Sequence, residues 1–598
     1  MPAHSSRPAL HIQRRQSLIA GALALLLFVL GEHTQATIGF DSRFVLFAQE
    51  MLRHGPSVFP TTYGQPYPDY SATSTFLIWL LSVPFGEVTR LTAWLPTAIA
   101  SATIVTLTWR LVAPHSRQWA VMSVALLLLS MTFITETRAV SLDQMLAAVS
   151  LGVFYLAYAH DHLGAPRRHA GVLALLVLGF ALRGPIGLVI PTGMLCAYFV
   201  LGGQWRRMLT TGMQAAALLV VCIGVLLALA WIAGGETFVH EVIRMQVTGR
   251  MDGTEGASSV LYYFTSAMGN YALAYPLAAL VLAALVLSGR KEPDAALTLV
   301  KYCVGAGLIV MIGLSIPQAK KARYLLPMLP MAAVIAAYPF QGRQGRTFAL
   351  LRGLTLGVLL LLPGLLFAGL VMAGKRLDEP LPALNTALTG LAVLQLLAVG
   401  ALFNTRWRTA GLAVLQLLAV GALFNTRWRT AGLAVLQLLA VGALFNTRWR
   451  TAGLAVLQLL AVGALFNTRW RTAGLAACAV LAVWSAYIMV YEPYARRVYD
   501  TRTFTREAMR LIDQTPQPLV LHGMGKDAKA IKFMVNVERD LQPVFTQTPA
   551  ELGTISGRAW VIMDRKDYLG LHGTVLGNTV PTLSGRFDKN DMVLLKKP

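Results

Sequence analysis

The chain has 598 residues, of which 56% are hydrophobic and 13% charged, against about a quarter charged in soluble domains. That balance excludes an ordinary soluble enzyme. The formal charge of +23 does not point to nucleic acid either, because the cations fall in short links between apolar runs and no basic stretch interleaves with aromatics.

Apolar runs recur from Ser17 to about Val490, each near the roughly 20 residues that cross a bilayer as a helix. Helix is required because lipid offers no partner to backbone amides. The expected fold class is an α-helical polytopic membrane protein with about 13 core spans and a small C-terminal α/β soluble domain. Cys196, Cys222, Cys303 and Cys478 all lie inside apolar runs without paired spacing, so no disulfide or zinc framework is implied.

The start, "SSRPALHIQRRQ", is basic and belongs on the inner side by the preference of Lys and Arg for cytoplasmic links. The first run, "SLIAGALALLLFVLG", lacks a small-x-small cleavage site and reads as a retained anchor. The link beyond it is then outside, and carries Asp41, Arg43, Glu50 and Asp69. "TFLIWLLSVPFG" is too short to cross and ends in Pro-Phe-Gly, so it is placed along the interface, and "RLTAWLPTAIASATIVTLTWRLV" makes the return.

From there the alternation is regular. A span near 119–135 leads to the outer link "TETRAVSLDQ" with Asp143, and a span near 144–159 leads to the inner link "HDHLGAPRRHA". Two short spans flank "LRGPIG", which brings Arg183 to the outer side, and "GGQWRRM" lies inside. A long outer loop is expected from Gly234 to about Gly269. "SGRKEPD" is inside, "PQAKKARYLLPMLP" with Lys320, Lys321 and Arg323 outside, "QGRQGR" inside and "GKRLDEP" outside. The charges that inner links do not explain therefore gather on one face.

Between Gly390 and Ala473 the 21-residue segment "GLAVLQLLAVGALFNTRWRTA" occurs four times without a difference. Solenoid repeats drift and cap their ends, whereas these do neither, so a recent tandem duplication in the DNA, or an artefact of sequence assembly, is the better account. Three additional copies add three apolar segments of about 16 residues, short for a span. The expectation is that two form a hairpin, one does not cross, and the tail stays outside. The domains are thus a transmembrane core at 1–389, the repeats at 390–473, a final helix at 474–491 and a soluble tail at 492–598. In the tail, "PLVLHG", "DAKAIKFMVNV", "LQPVFT" and "AWVIMD" read as strand, helix, strand, strand. His522 with Asp564 is read there as surface chemistry rather than a site.

The order of these elements, over roughly Ile19 to Pro339, resembles the family 39 glycosyltransferases of the GT-C superfamily, which include lipid A aminoarabinose transferases and protein O-mannosyltransferases. The resemblance rests on "FDSRFVLFAQEML" for the acidic-Arg segment after the first span, "YGQPYPDYSAT" for the Glu-Lys-Pro-Pro segment, "TRAVSLDQML" for the second outer acidic loop, "LRGPIGLVIP" for the Lys-Gly-Pro segment and "KKARYLLPMLP" for the Lys-x-x-x-Tyr-Leu-Leu-Pro segment. It implies transfer of a sugar from a polyprenyl-phosphate-linked donor to a lipid A, glycan or protein acceptor at the periplasmic face of a bacterial inner membrane, with membrane lipids as surroundings and no nucleic acid.

By the same resemblance Asp41 and Asp143 are the catalytic acids, and Arg43, Arg183, Lys320 and Tyr324 bind the donor phosphate. Asp69 stands where the family has a Glu associated with a divalent metal, so such a metal is an optional cofactor. For the family's His in the long outer loop, His240, Asp252 and Glu255 are the candidates. The residue types suit the chemistry independently: a carboxylate assists attack by an acceptor hydroxyl, and cations stabilise the leaving phosphate. Each also has a plain alternative: Asp41 as a helix cap, Asp143 as a partner of Arg138, the Lys-Lys-Arg cluster as an interfacial anchor. A polytopic transporter and an O-antigen polymerase or ligase are the rival classes.

Overall fold

The structure is a computed structural model that describes residues 7–31, 37–39, 41–68, 72–248, 258–288, 294–342, 345–377, 379–400 and 471–597. Asp69, Asp252, Glu255 and all but the start of the first repeat and the end of the fourth lie outside these residues, and with them the expected hairpin. The chain divides into two compact units. One comprises Met1–Gly31, Thr97–Ala228 and His240–Tyr491, the other Glu32–Pro96, Leu229–Val239 and Glu492–Pro598.

Among the described residues six helices are long and apolar enough to cross a membrane, and eight if each of two bent pairs counts as one span. Further apolar helices, such as His169–Arg183, Pro185–Leu201 and Leu384–Val399, are shorter. The span expected near 119–135 is a bent pair, Arg117–Leu128 and Met131–Thr137, with 69° between the halves. The loop expected over 234–269 is largely helical instead: the helix beginning at Trp205 runs to Ile243 and continues as a π-turn to Thr248, and Tyr262–Asn270 is helical again. Gly235 (φ +69°) marks the break that the sequence shows as Gly-Gly, and only glycine holds that geometry without strain.

A membrane interior tolerates a broken helix only if the freed backbone groups find partners, and the first unit supplies them from buried side chains. Trp484 donates its indole N–H to Leu128 O at the bend (2.9 Å), and Trp119 does the same for Val334 O (2.8 Å) near the end of Leu329–Ala336. Gln395 Oε1 accepts from Gly364 N–H (2.7 Å) just after Pro363, which interrupts the ladder of Arg346–Arg376. Arg138 is 2% exposed and donates to Phe28 O and Leu30 O, closing the end of the first helix, Arg7–Val29.

The second unit is built on a five-stranded sheet. Its strands are β3 (Leu519–His522), β4 (Val544–Thr546), β5 (Ala559–Asp564), β6 (Leu583–Phe587) and β7 (Asn590–Lys597), while β1 (Thr61–Thr62) and β2 (Gln65–Pro66) form a separate small ribbon. The order is β4-β3-β5-β7-β6, with β3 parallel to both β4 and β5 and the other pairs antiparallel. Three of the strands and the helix at Ala530–Met534 stand where the alternation places them, and the β6–β7 hairpin is additional. His522 is buried against Thr546 Oγ1 (2.9 Å) and Asp564 pairs with Lys529 (3.5 Å), so the two are not one surface group.

This unit also contains the link after the first helix. Helix Asp41–His54 docks on the tail, with Gln49 donating to Val535 O (3.3 Å) and Arg53 to Val537 O (2.8 Å), and Tyr63 donates to Lys526 O (3.1 Å). The short helix Thr73–Ser82, expected at the interface, packs against Asp41–His54 and leaves Phe76 and Leu80 exposed. At the foot of helix Arg90–Val112, Arg90 pairs with Glu492 and lies 3.6 Å over the Trp94 ring, and Arg496 reaches the same carboxylate (3.4 Å). These contacts join the tail to the link after the first helix and to the start of helix Arg90–Val112.

Candidate functional site

In the first unit the sequence candidates converge on Asp143. It is the second residue of helix Leu142–His162, 4% exposed, with Ser141 capping the helix start through Gln144 N–H. Its link is pinned to helix Arg90–Val112 by a buried polar set: Ser141 N–H donates to Thr97 Oγ1 (3.1 Å), and Gln144 Nε2 donates to Ser101 Oγ (2.9 Å) and Thr137 Oγ1 (3.3 Å). Ser141 Oγ donates to Glu136 Oε2 (2.5 Å), a carboxylate in the same link that the sequence reading passed over.

Asp143 Oδ1 lies 2.7 Å from Arg183 Nη1 and Oδ2 lies 3.1 Å from Arg323 Nε. Each oxygen thus faces a different guanidinium, and the partner considered for it, Arg138, is committed to the first helix instead. Arg183 ends helix His169–Arg183; Gly184 (φ +63°, ψ −150°) turns the chain at once into Pro185–Leu201. The hairpin closes because Gly179 and Gly187 meet backbone to backbone: a Cβ on Gly187 would stand 1.8 Å from Gly179 O. Arg183 is 6% exposed and its guanidinium carbon sits 4.7 Å from the Tyr324 ring centroid. Arg323 and Tyr324 belong to the 3₁₀ stretch Ala322–Met328, which Tyr271 holds by donating to Ala322 O (2.8 Å). Lys320, just before it, donates to Ser258 O (3.2 Å).

Asp143 thus sits between two guanidiniums in a largely buried place, and the arrangement suits a phosphate more than a proton acceptor, since both oxygens of Asp143 are engaged. Arg323 was read only as part of a basic cluster; the signal that marks it is the Arg-Tyr dipeptide, which puts a guanidinium and a ring on successive residues of one tight turn.

The second unit holds the remaining candidates. Asp41 is the first residue of its helix and 8% exposed, and Arg43 lies 5.5 Å from the Tyr67 ring centroid. Glu50, 7% exposed, faces Arg53 (3.5 Å) and His54 (3.8 Å). Burial pushes the Glu50 carboxyl above its ordinary value, more than these two neighbours lower it. Asp69 is outside the described residues, and His240 is exposed on the helix that replaces the expected loop. Among the described residues no three His, Cys, Asp or Glu side chains gather where a metal ion could be held.

The sequence profile of the dolichyl-phosphate-mannose-protein mannosyltransferases matches residues 29–241. That stretch includes four of the five resembling segments and leaves out "KKARYLLPMLP". ArnT from Cupriavidus metallidurans bound to undecaprenyl phosphate superposes with a TM-score of 0.59 at 15% identity, covering 99% of this chain and 98% of that one. The chain is a membrane glycosyltransferase with the GT-C fold. The apo state of the same ArnT superposes at 0.61 with 14% identity over 98% of each chain, and the resemblance to family 39 glycosyltransferases holds on both profile and fold. No curated protein matches in sequence.

Two outcomes are expected for this glycosyltransferase. Asp143→Asn takes the shared carboxylate from between two guanidiniums and should cost about 3–5 kcal/mol of stability, whereas Asp143→Asn with Arg183→Gln should cost less than the sum of the single changes; chemical unfolding in detergent measures this, and strict additivity contradicts the pairing. The second concerns Glu50. A carboxyl raised in the fold supports folding fully below its unfolded value of 4.5 and loses that support as pH climbs through the folded value. Glu50→Gln should therefore melt with wild type near about pH 4 and above it near about pH 7; a relative loss at the higher pH would refute the burial argument.

Proposed function

We propose that the enzyme moves a sugar from a polyprenyl-phosphate donor to a hydroxyl of a lipid A, glycan or protein acceptor, at the periplasmic face of a bacterial inner membrane, with inversion at the anomeric carbon. The observation that carries this reading is the pair of guanidiniums, Arg183 and Arg323, held by the two oxygens of buried Asp143, with Tyr324 beneath one of them. Support from outside the chain is the fold shared with a protein that binds undecaprenyl phosphate.

In this reading the acceptor oxygen bonds to the anomeric carbon as the bond from that carbon to the phosphate oxygen breaks. The acceptor proton passes to Asp41, and the electron pair leaves with the lipid phosphate. Charge grows on that phosphate, and Arg183, Arg323 and Lys320 are the groups to receive it. Asp143 is a positioning residue here: it fixes two guanidiniums in one orientation, so that little reorganisation is needed at the moment of reaction. A divalent metal, if carried at Asp69, would add Lewis-acid stabilisation of phosphate oxygen.

Arg183→Ala and Lys320→Ala should each weaken donor binding by roughly 1.5–3 kcal/mol, the range for a charge-assisted hydrogen bond, with a smaller effect on acceptor binding. Asp41→Asn should abolish transfer in a protein that stays folded, because it removes the proton acceptor at constant size. Titration with a polyprenyl-phosphate sugar and a turnover assay on the purified variants check both. Unchanged donor affinity in the two cation variants, or near-normal turnover in Asp41→Asn, would overturn the assignments.

A further inference from the structure

The first unit has a second concentration of charge at the other end of the helix that starts with Asp143. Asp161 lies eighteen residues further along Leu142–His162, about 27 Å away at the rise of an α-helix, so the two ends are nearly a bilayer core apart. Behind the link that follows is a cavity of about 60 Å³, nearer the size of a phosphate group than of a whole lipid. Arg167, Arg168, His160 and His169 line it on the polar side, and Val172 and Phe199 on the apolar side.

Three features distinguish this place from a row of topology-setting cations. First, the link is tied down by its own hydrogen bonds: Ala165 N–H donates to Ala159 O (3.0 Å), and a His160 ring nitrogen bonds Ala165 O (3.0 Å), just before the two arginines that line the cavity. Second, the one carboxylate present is already neutralised. Asp161 takes Arg207 on one oxygen (2.9 Å) and Tyr198 on the other (2.9 Å), so it does not repel an anion, while Arg167 and Arg168 make no ion pair among the described residues. Third, the helices flanking the cavity carry large apolar side chains that the fold leaves uncovered: Val177 and Leu178 on His169–Arg183, Leu209 and Met213 on Trp205–Ile243. A charged recess whose walls lead onto bare apolar helix is matched by a molecule with a phosphate at one end and hydrocarbon at the other.

We propose that this recess binds an anionic phospholipid of the bilayer, its phosphate between Arg167 and Arg168 and its acyl chains along the faces of the two flanking helices. A soluble phosphate would use the arginines but not the apolar walls. A zwitterionic phospholipid would bring a cation of its own to a site that is already basic. The site is separate from the Asp143 cluster and does not depend on the sugar-transfer reading.

The test is native mass spectrometry of the full chain in detergent, titrated with phosphatidylglycerol and, in parallel, phosphatidylcholine. Wild type should retain phosphatidylglycerol preferentially, and Arg167→Ala with Arg168→Ala should lose about five-fold in that retention for each arginine removed. Thr211→Trp fills the cavity from Trp205–Ile243 with both arginines kept, and it too should abolish the preference. An undiminished preference in the double alanine variant overturns the proposal. So does an undiminished preference in Thr211→Trp, which would make the effect one of surface charge alone. Displacement of the lipid by millimolar inorganic phosphate would overturn it as well, by showing a soluble-anion site. Both arginines are exposed, so their replacement leaves the fold intact, and an unchanged melting temperature in detergent confirms that the loss is one of binding.

Discussion

One carboxylate organises the transmembrane unit's chemistry. Asp143 gathers two guanidiniums, one from the end of a helical hairpin and one from a 3₁₀ turn, and its own link is tied to a third segment through Thr97 and Ser101. Remove the carboxylate, and two cations face each other across a space with little water to separate them. Keep it, and each is held by one of its oxygens. Such an arrangement is poor as a pure stability device, because buried pairs recover little more than their desolvation cost. What the carboxylate fixes is orientation: each guanidinium is held in a set direction.

The same economy runs through the rest of that unit. Short and bent helices are what place Arg183, Arg323 and Asp143 at element ends rather than along helix faces, and each break exposes carbonyls or amides that lipid would not satisfy. Buried donors and acceptors settle the account, with Trp484 at Leu128, Trp119 at Val334, Gln395 at Gly364 and Arg138 at Phe28 and Leu30. Arg138 shows how closely function and structure resemble one another at the level of residue type. Five residues from Asp143 in sequence, it serves a helix end and not the cluster. In the second unit the comparable device is the pairing of Arg90 and Arg496 on Glu492, which ties the start of the tail to the foot of a membrane helix.

Much of this was legible in the sequence, and the reasons are physical. Hydropathy reports helices in lipid directly, because no alternative backbone satisfies itself there, and alternation with turn residues reports a small soluble sheet. The outer-link charges Asp143 and Arg183 stood out because their positions had no topological explanation, and they do meet. What the sequence did not show was pairing. Nothing in local pattern says that Asp143 prefers Arg183 and Arg323 over the nearer Arg138, since that choice is made by helices distant in sequence. The stretch after Gly234 looked like a loop because Gly-Gly and scattered polar residues interrupt the apolar run, yet the helix resumes beyond Gly235. His522 looked like surface because single histidines usually are, and only sheet pairing with the strand at Val544–Thr546 buries it. Asp69 and the repeats lie outside the described residues, and the likeness alone speaks for the former.

The most direct measurement is an experimental structure of the full chain with a polyprenyl phosphate bound. The account predicts the phosphate within hydrogen-bond distance of the Arg183 or Arg323 guanidinium, with Asp143 still bridging the two. A phosphate held elsewhere, with the Asp143 cluster closed on itself and touching no ligand, would contradict it.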